Sequence, residues 1–338
     1  MIKIGNLGID NIKLGSITIG KVYAGDEQIY PSSQPVETDL VIIYDVKSTS
    51  TPTKITNHPD YLTSMEVDGV EVSPITTGYT FSTTGEHTIR FTLANPITIS
   101  TDAFSGCYDI ARVTIPYGVE FIGINAFSPG NSLTSVTIPN SVTTIRRSAF
   151  VCPNLTSVTI PDSVTSIEEK AFSLGNTTIT VSTGNTVYDS RNNCNAIIET
   201  ATDTLIIGSN YSQIPNDIVS ISDYAFQYCS GLDSIIIPSG VTSIGESAFQ
   251  GCNRLPSITI PSGITSIGEN AFYGCTRLTS ITVNATTPPT LGSSAFDRTN
   301  NCPIYVPFAS VNAYKTAWST YASRIQGING DEPFPDID

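Results

Sequence analysis

The chain has 338 residues, which leaves room for two domains by the usual size prior. Its formal net charge is −14, from 16 basic and 30 acidic residues, so nucleic acid and an anionic membrane surface are excluded as main partners, because both demand clustered Lys and Arg. Only 14% of residues are charged, and Ser, Thr and Asn supply the polarity instead, a balance that suits neutral polar faces better than an enzyme.

No apolar stretch approaches the roughly 18 residues of a membrane span, so no insertion is expected. The start, MIKIGNLGID, lacks a basic region followed by an apolar core and does not read as a secretory signal. Either the protein is used without standard export or a leader has been lost. The formal charge, the missing leader and the start at Met1 lead to the expectation of a protein made in the cytoplasm.

Residues 1–33 form a segment of their own. Ile9-Asp10-Asn11-Ile12-Lys13-Leu14-Gly15 is echoed by Ile19-Gly20-Lys21-Val22-Tyr23-Ala24-Gly25. Short β-prone runs broken by glycine predict a hairpin or meander. So short a piece cannot bury a core alone. It is expected to dock onto another copy, another protein or the following domain, with Ile12, Leu14, Val22, Tyr23 and Tyr30 as the assembly residues. Pro31-Ser32-Ser33-Gln34-Pro35 reads as a linker.

Residues 34–95 alternate without helical periodicity and predict a small antiparallel β domain. Val41-Ile42-Ile43-Tyr44 is one strand. Met65–Val67 and Val70–Val72 flank Asp68-Gly69, a strong hairpin turn. Tyr79-Thr80-Phe81 and His87–Leu93 flank Gly85-Glu86. This domain is expected to cap the first coil of the array beginning near residue 96.

Residues 96–300 carry a repeat. The dipeptide Ala-Phe recurs at Phe104, Phe127, Phe150, Phe172, Phe226, Phe249, Phe272 and Phe296, with spacings of 23, 23, 22, 54, 23, 23 and 24. A fixed period of this size marks a solenoid. A clean unit runs Leu133-Thr-Ser-Val-Thr-Ile-Pro139, then Asn140-Ser-Val-Thr-Thr-Ile145, then Arg146-Arg-Ser-Ala-Phe150. LxSVTIP predicts a strand stopped by proline. SVTxI predicts a second extended piece, and the Ala-Phe segment a short helix or 3₁₀ turn. Leu, Val, Ile and Phe should point inward and be buried by stacking.

The long spacing holds an insertion at 173–224. There Ala196–Glu199 and Thr204–Ile207 predict an extra strand pair, approached through the polar run 188–193. Insertions in repeat proteins map to loops on one face, often the binding face. The expected binding residues are therefore Tyr188, Asp189, Arg191 and Asn193, with Tyr224, Gln227 and Tyr228 beside them. Residues 301–328 predict a closing strand at 302–307 and a helix over 309–325, whose stripe is Val311, Tyr314, Ala317, Trp318, Tyr321 and Ile325. Trp318 should pack over the last coil. Residues 329–338 form an acidic tail.

The pattern Leu-x-Ser-Val/Ile-x-Ile-Pro, then Val-Thr-Ser-Ile-Gly-x-x-Ala-Phe-x-x-Cys, reads cleanly at 232–252 and 255–275. It resembles the BspA-like, Treponema-type leucine-rich repeat over about 94–328. The resemblance implies an α/β repeat solenoid of leucine-rich repeats of about 23 residues, here with a β-rich N-terminal cap and a helical C-terminal cap. It also implies binding or adhesion with no catalytic residues to carry over, in proteins usually found on the surface of, or secreted by, host-associated bacteria. Residues 1–33, ending KVYAGDEQIYP, resemble glycine-punctuated pieces at the start of some phage tail and virion proteins. That likeness implies attachment to a virion, with the repeats directed at a host.

No nucleophile elbow, P-loop, HExxH or dinucleotide fingerprint is present. His58 and His87 read as surface histidines. The cysteines Cys107, Cys152, Cys229, Cys252 and Cys275 come just after the repeat phenylalanines without CxxC pairing, so a ladder of buried thiols is expected rather than a metal site. Glu169, Asp223, Glu246 and Glu269 precede the phenylalanines and read as carboxylates at helix N-termini. Ser135, Ser157, Ser234, Ser257 and Ser280, with their neighbouring threonines, should face outward. No cofactor, metal or catalytic residue is expected. The leading expectation is host recognition by a phage tail component, with the virion as location and a tail protein or a second copy bound through 1–33. The alternative is a cell-surface or secreted bacterial adhesin that binds host protein or glycan.

Overall fold

The computed structural model describes residues 39–328 and, before them, residues 2–4, 7–10, 21–24 and 27–28. The strands Ile2–Ile4, Leu7–Asp10, Lys21–Ala24 and Glu27–Gln28 pair antiparallel in chain order, a meander. Val22 and Tyr23 lie in its third strand. Ile12, Leu14 and Tyr30, the linker and the acidic tail lie outside the described residues.

The β-rich cap is continuous with the repeats. Leu40–Val46 turns Leu40, Ile42, Tyr44 and Val46 inward. One of its edges pairs antiparallel with Gly85–Leu93 and the other with Ile110–Thr114, the first repeat strand. The exposed edge that a solenoid would otherwise present is thereby hydrogen-bonded. Asp68 and Gly69, both at positive φ, close the hairpin of Leu62–Val67 with Val70–Glu71. Gly78–Tyr79 does not join His87–Leu93. It pairs with Thr53–Lys54, because Gly85–Leu93 already has both edges filled.

Each coil contributes two short strands to parallel ladders. In the N-terminal array, Ile110–Thr114, Ser135–Thr137, Ser157–Ile160 and Thr178–Val181 form one ladder. Thr98–Ile99, Phe121–Ile122, Thr144–Ile145 and Ser166–Ile167 form the other. The register offsets partners by one repeat, so like residues stack: Val113 on Val136, Val158 on Ile179. Period-two alternation then buries Val158 and Ile160 and turns Ser157 and Thr159 outward.

The Ala-Phe segments are not helices: they are turns, and at Phe150–Val151 and Phe172–Ser173 the turn runs into a short parallel strand pair. The residue before each alanine (Asp102, Asn125, Ser148, Lys170, Tyr224, Ser247, Asn270, Ser294) has φ between 52° and 61°. A left-handed residue halts helix propagation. It redirects the phenylalanine amide to the next coil, as in Phe127 N–H to the Ala149 carbonyl at 3.0 Å and Phe249 N–H to Ala271 at 2.7 Å. The rings stack face to face, at 5.3, 5.4 and 5.3 Å from Phe104 to Phe172, and at 5.0, 5.1 and 5.6 Å from Phe226 to Phe296.

The C-terminal array repeats the plan with Ser220–Ile221, Ser243–Ile244, Ser266–Ile267 and Thr290–Leu291, and with Ser257–Ile260, Ser280–Val283, Ile304–Pro307 and Ile325–Ile328. Residues 234–237 belong to no strand, although their sequence fits the strand pattern. Pro256 stands where other coils have a threonine whose N–H bonds back one coil, as Thr156 does to Thr134 at 3.0 Å. Without that donor the ladder does not close there. Ile236 holds the outward position that Thr137 and Thr159 hold in their coils, and it is 83% exposed.

The C-terminal cap is shorter in helix than the stripe predicts. One helix, α1 (Val311–Ala317), ends at Trp318, which has φ −108° and ψ 51°. A 3₁₀ turn, Ser319–Arg324, comes next, and Ile325 begins the closing strand. Ala317 is exposed, while Tyr314, Trp318 and Tyr321 are buried. Trp318 lies 5.7 Å from the ring of Phe296, and its indole N–H donates to the Pro289 carbonyl at 3.0 Å. The Tyr321 hydroxyl accepts the Phe296 amide at 3.2 Å, taking the place of a next coil.

All seven cysteines are free and buried. The thiols of Cys252 and Cys275 donate to the carbonyls of Phe226 and Phe249, one coil back, at 3.3 and 3.1 Å. Burial pushes the Cys152 and Cys229 thiols up to about 12.

Candidate functional site: the seam between the two arrays

The insertion builds a partition. In Ile197–Glu199 and Thr204–Ile207, Ile197 and Ile207 face the N-terminal core, while Ile198 and Leu205 face the C-terminal core. Both faces of the hairpin are apolar because both are covered. Gly208 donates to the Ala225 carbonyl at 2.8 Å, as the repeat phenylalanines do to the next alanine, so it occupies the phenylalanine position of its coil. A Cβ there would stand 2.2 Å from Cε1 of Phe226. The column of rings therefore stops at Phe172 and restarts at Phe226.

Most of the expected binding residues hold this seam. Tyr188 is only 5% exposed, and its hydroxyl accepts the Ile167 amide at 3.0 Å, closing the edge of Ser166–Ile167; it is not a surface residue. Arg191 grips Asp189 through Nε and Nη2 at 3.0 and 2.7 Å, and its Nη1 reaches Asp203 at 2.6 Å and Asp217 at 2.9 Å. It ties the insertion loop to the hairpin turn and to the next coil. The hydrogen bond from Arg191 holds the Asp217 carboxyl below its ordinary range. Asn193 is exposed at φ 53°. The Tyr224 hydroxyl donates to Glu246, and Lys170 lies 3.5 Å over its ring. Gln227 bonds Gln250.

Tyr228 differs, being 59% exposed. It lines an open cleft of about 690 Å³ that crosses the seam. Asn131, Asn154 and Asn176 come from the N-terminal array, Asn210 and Tyr211 from the insertion, and Asp233 and Arg254 from the C-terminal array. Tyr211 is 60% exposed. Asn154 donates to the Asn131 carbonyl at 2.7 Å, and Asn210 donates to Asn176 Oδ1 at 2.8 Å while accepting the Gly231 amide at 3.1 Å. The sequence reading missed Tyr211. The available signal was an aromatic residue just past Ile207-Gly208, outside the repeat consensus.

The other chemical candidates resolve into structure. His87 is buried, contrary to its expected place on the surface: its Nδ1 meets Asp68 at 2.7 Å and its Nε2 meets the Thr83 carbonyl at 2.9 Å and Thr83 Oγ1 at 3.2 Å. The Thr–His–Asp connectivity is that of a hydrolase triad. However, the carbonyl takes the Nε2 proton, so that nitrogen is not a base toward the hydroxyl. Burial opposes charging of His87, but the bonds to Asp68 and Thr83 outweigh it and raise its pKa. The acidic column has no helix N-termini to serve. Asp223 instead accepts the Glu246 amide at 2.6 Å, and Glu169 pairs with Arg147. No group of three or more His, Cys, Asp or Glu among the described residues is placed to hold a metal ion.

Comparison of the sequence with known families finds the same repeat. The sequence profile of the BspA type leucine rich repeat region matches residues 77–200 and 207–319, in six copies. A leucine-rich cell surface protein from Faecalibacterium prausnitzii is 31% identical, over 61% of this chain and 62% of that one, with a TM-score of 0.46. A leucine-rich repeat protein from Eubacterium ventriosum is 23% identical, over 68% and 69%, with a TM-score of 0.48. The pneumococcal vaccine antigen PcpA is 17% identical, over 64% and 66%, with a TM-score of 0.46. The chain spans less than two thirds of the Faecalibacterium and pneumococcal proteins. No curated protein sequence matches it. The repeat register, the stacked phenylalanines and the match over most of the sequence together place this chain in the BspA-type leucine-rich repeat family.

Proposed function

We propose that this protein is a non-catalytic binding module of a bacterial surface, an adhesin that engages a host protein or glycan. The observation that carries the reading is the seam cleft, an open groove with exposed aromatic rings on a rigid repeat scaffold. His87 and Arg191 are tied into backbone and ion-pair contacts. No helix among the described residues is long and apolar enough to cross a membrane. A phage tail role would rest on residues 1–33 alone, whereas the family match begins at residue 77, so the adhesin reading has the broader support. The meander at 2–28 is then an attachment or assembly element. The test is binding of labelled full-length protein to immobilised mucin and to epithelial cells. Saturable binding is expected, and linear, non-saturating uptake on both surfaces rejects the reading.

A further inference from the structure

We propose that the seam cleft is a binding site for a neutral oligosaccharide; this deepens, and rests on, the surface-binding reading. Its size falls within the span of about 300–1,000 Å³ usual for ligand sites. Tyr211 and Tyr228 offer the broad, flat rings on which the C–H face of a pyranose packs. The Tyr228 ring rests against the Gly251 backbone, where a Cβ would stand 2.7 Å from Cδ1, so glycine at that position leaves room for the ring.

The polar groups fit sugar hydroxyls. A primary amide sets a donor beside an acceptor, the pattern that two neighbouring hydroxyls match. Asn210 is oriented by Gly231 and turns its NH2 to the Asn176 oxygen, so the Asn176 NH2 keeps both its protons for a ligand. The hydroxyls of Tyr211 and Tyr228, the Asp233 carboxylate and the Arg254 guanidinium make no hydrogen bond to other described residues. Among the described residues, Asp233 and Arg254 are the only charged ones lining the cleft, and they cancel, which selects a neutral ligand over a sialylated or sulfated one. A protein partner would need a desolvating pocket for an aromatic or aliphatic anchor; asparagines dominate here instead.

The experiment titrates the full chain with chitotriose triacetate, cellotriose, laminaritriose and lacto-N-tetraose, using 3′-sialyllactose as the charged control. Calorimetry and saturation-transfer NMR are the readouts. At least one neutral glycan is expected to bind, with transfer strongest at ring C–H protons. Tyr211→Ala and Tyr228→Ala should each weaken it by about tenfold or more, with the melting temperature unchanged. Tyr211→Phe and Tyr228→Phe should keep most of the affinity. Binding of none of the neutral glycans, or binding unaffected by both alanine variants, overturns the proposal. Mucin binding by the double alanine variant separates the two readings. If it still binds saturably, the surface-binding reading stands and the cleft is not the site. If wild-type protein binds periodate-treated mucin as well as untreated mucin, the ligand is protein and the glycan assignment is wrong.

Discussion

Phe249→Ala tests the repeat architecture at its centre. Phe249 is fully buried, with Phe226 at 5.0 Å and Phe272 at 5.1 Å, its ring tilted only 4° and 2° from theirs. Truncation removes a buried ring and leaves a void between two rings that the backbone ladder holds apart. Large-to-small changes of this kind cost about 3–5 kcal/mol. Each lost aromatic pair is worth about 0.5–1.5 kcal/mol of interaction beyond area, which places this site toward the upper end. The only tryptophan, Trp318, packs on the last ring of the same column and reports that column directly. Urea unfolding tracked by its fluorescence should shift by roughly 2 M, taking a loss of about 4 kcal/mol and a slope of about 2 kcal/mol/M. Circular dichroism should show a smaller change, because the N-terminal array has a separate core and the partition stands between them. A loss within about 0.5 kcal/mol, the range of surface substitutions, would show that the ring is not enclosed and would refute the stacking argument.

Gly208→Ala should destabilise the seam, because its Cβ would collide with Phe226; the companion Phe226→Leu should recover part of the loss in a thermal melt. The folded-state pKa of His87 is raised, so its contribution is complete below about pH 6.5 and is lost as pH rises through the folded value. Asp68 runs the other way: burial opposes ionisation, but hydrogen bonds from His87 and Thr88 outweigh it and lower its pKa, so its contribution is lost as pH falls below about 3.9. NMR titration of His87 should show the raised value, and Asp68→Asn should bring it down; an unchanged titration would contradict the contact. Native protein should resist thiol alkylation at pH 8, where Cys152 and Cys229 stay protonated, and all seven cysteines should react after unfolding, as mass spectrometry can count. Light scattering of the full chain should show an oligomer that a chain starting at Pro35 lacks, if the meander is an assembly element.

The repeat was legible because stacking imposes one environment on equivalent positions. A slot that accepts Phe127 accepts Phe150 and Phe249, so period, inward residues and thiol column can be read without coordinates. The Ala-Phe turn was misjudged because Asp102, Asn125 and Ser148 permit helix as well as left-handed backbone, and only the hydrogen bond to the next coil decides between them. The same limit explains residues 234–237, whose strand pattern fails through Pro256 in the next coil.

The insertion shows the division most clearly. Its composition marked a strand pair and a polar loop, and the departure from the period drew attention to it. Its role depended on what lay on each side. Two apolar faces on one hairpin make a partition only when two cores exist to cover them, and Arg191 becomes a clamp only when Asp203 and Asp217 are brought beside it from later in the chain. The cleft likewise gathers Asn131, Tyr211 and Arg254, which are far apart in sequence and share no period. By itself the sequence determined the solenoid, because repeated local burial is encoded residue by residue. Only the tertiary structure decided which exposed groups converge, because convergence across the seam depends on where the interruption places one array against the other.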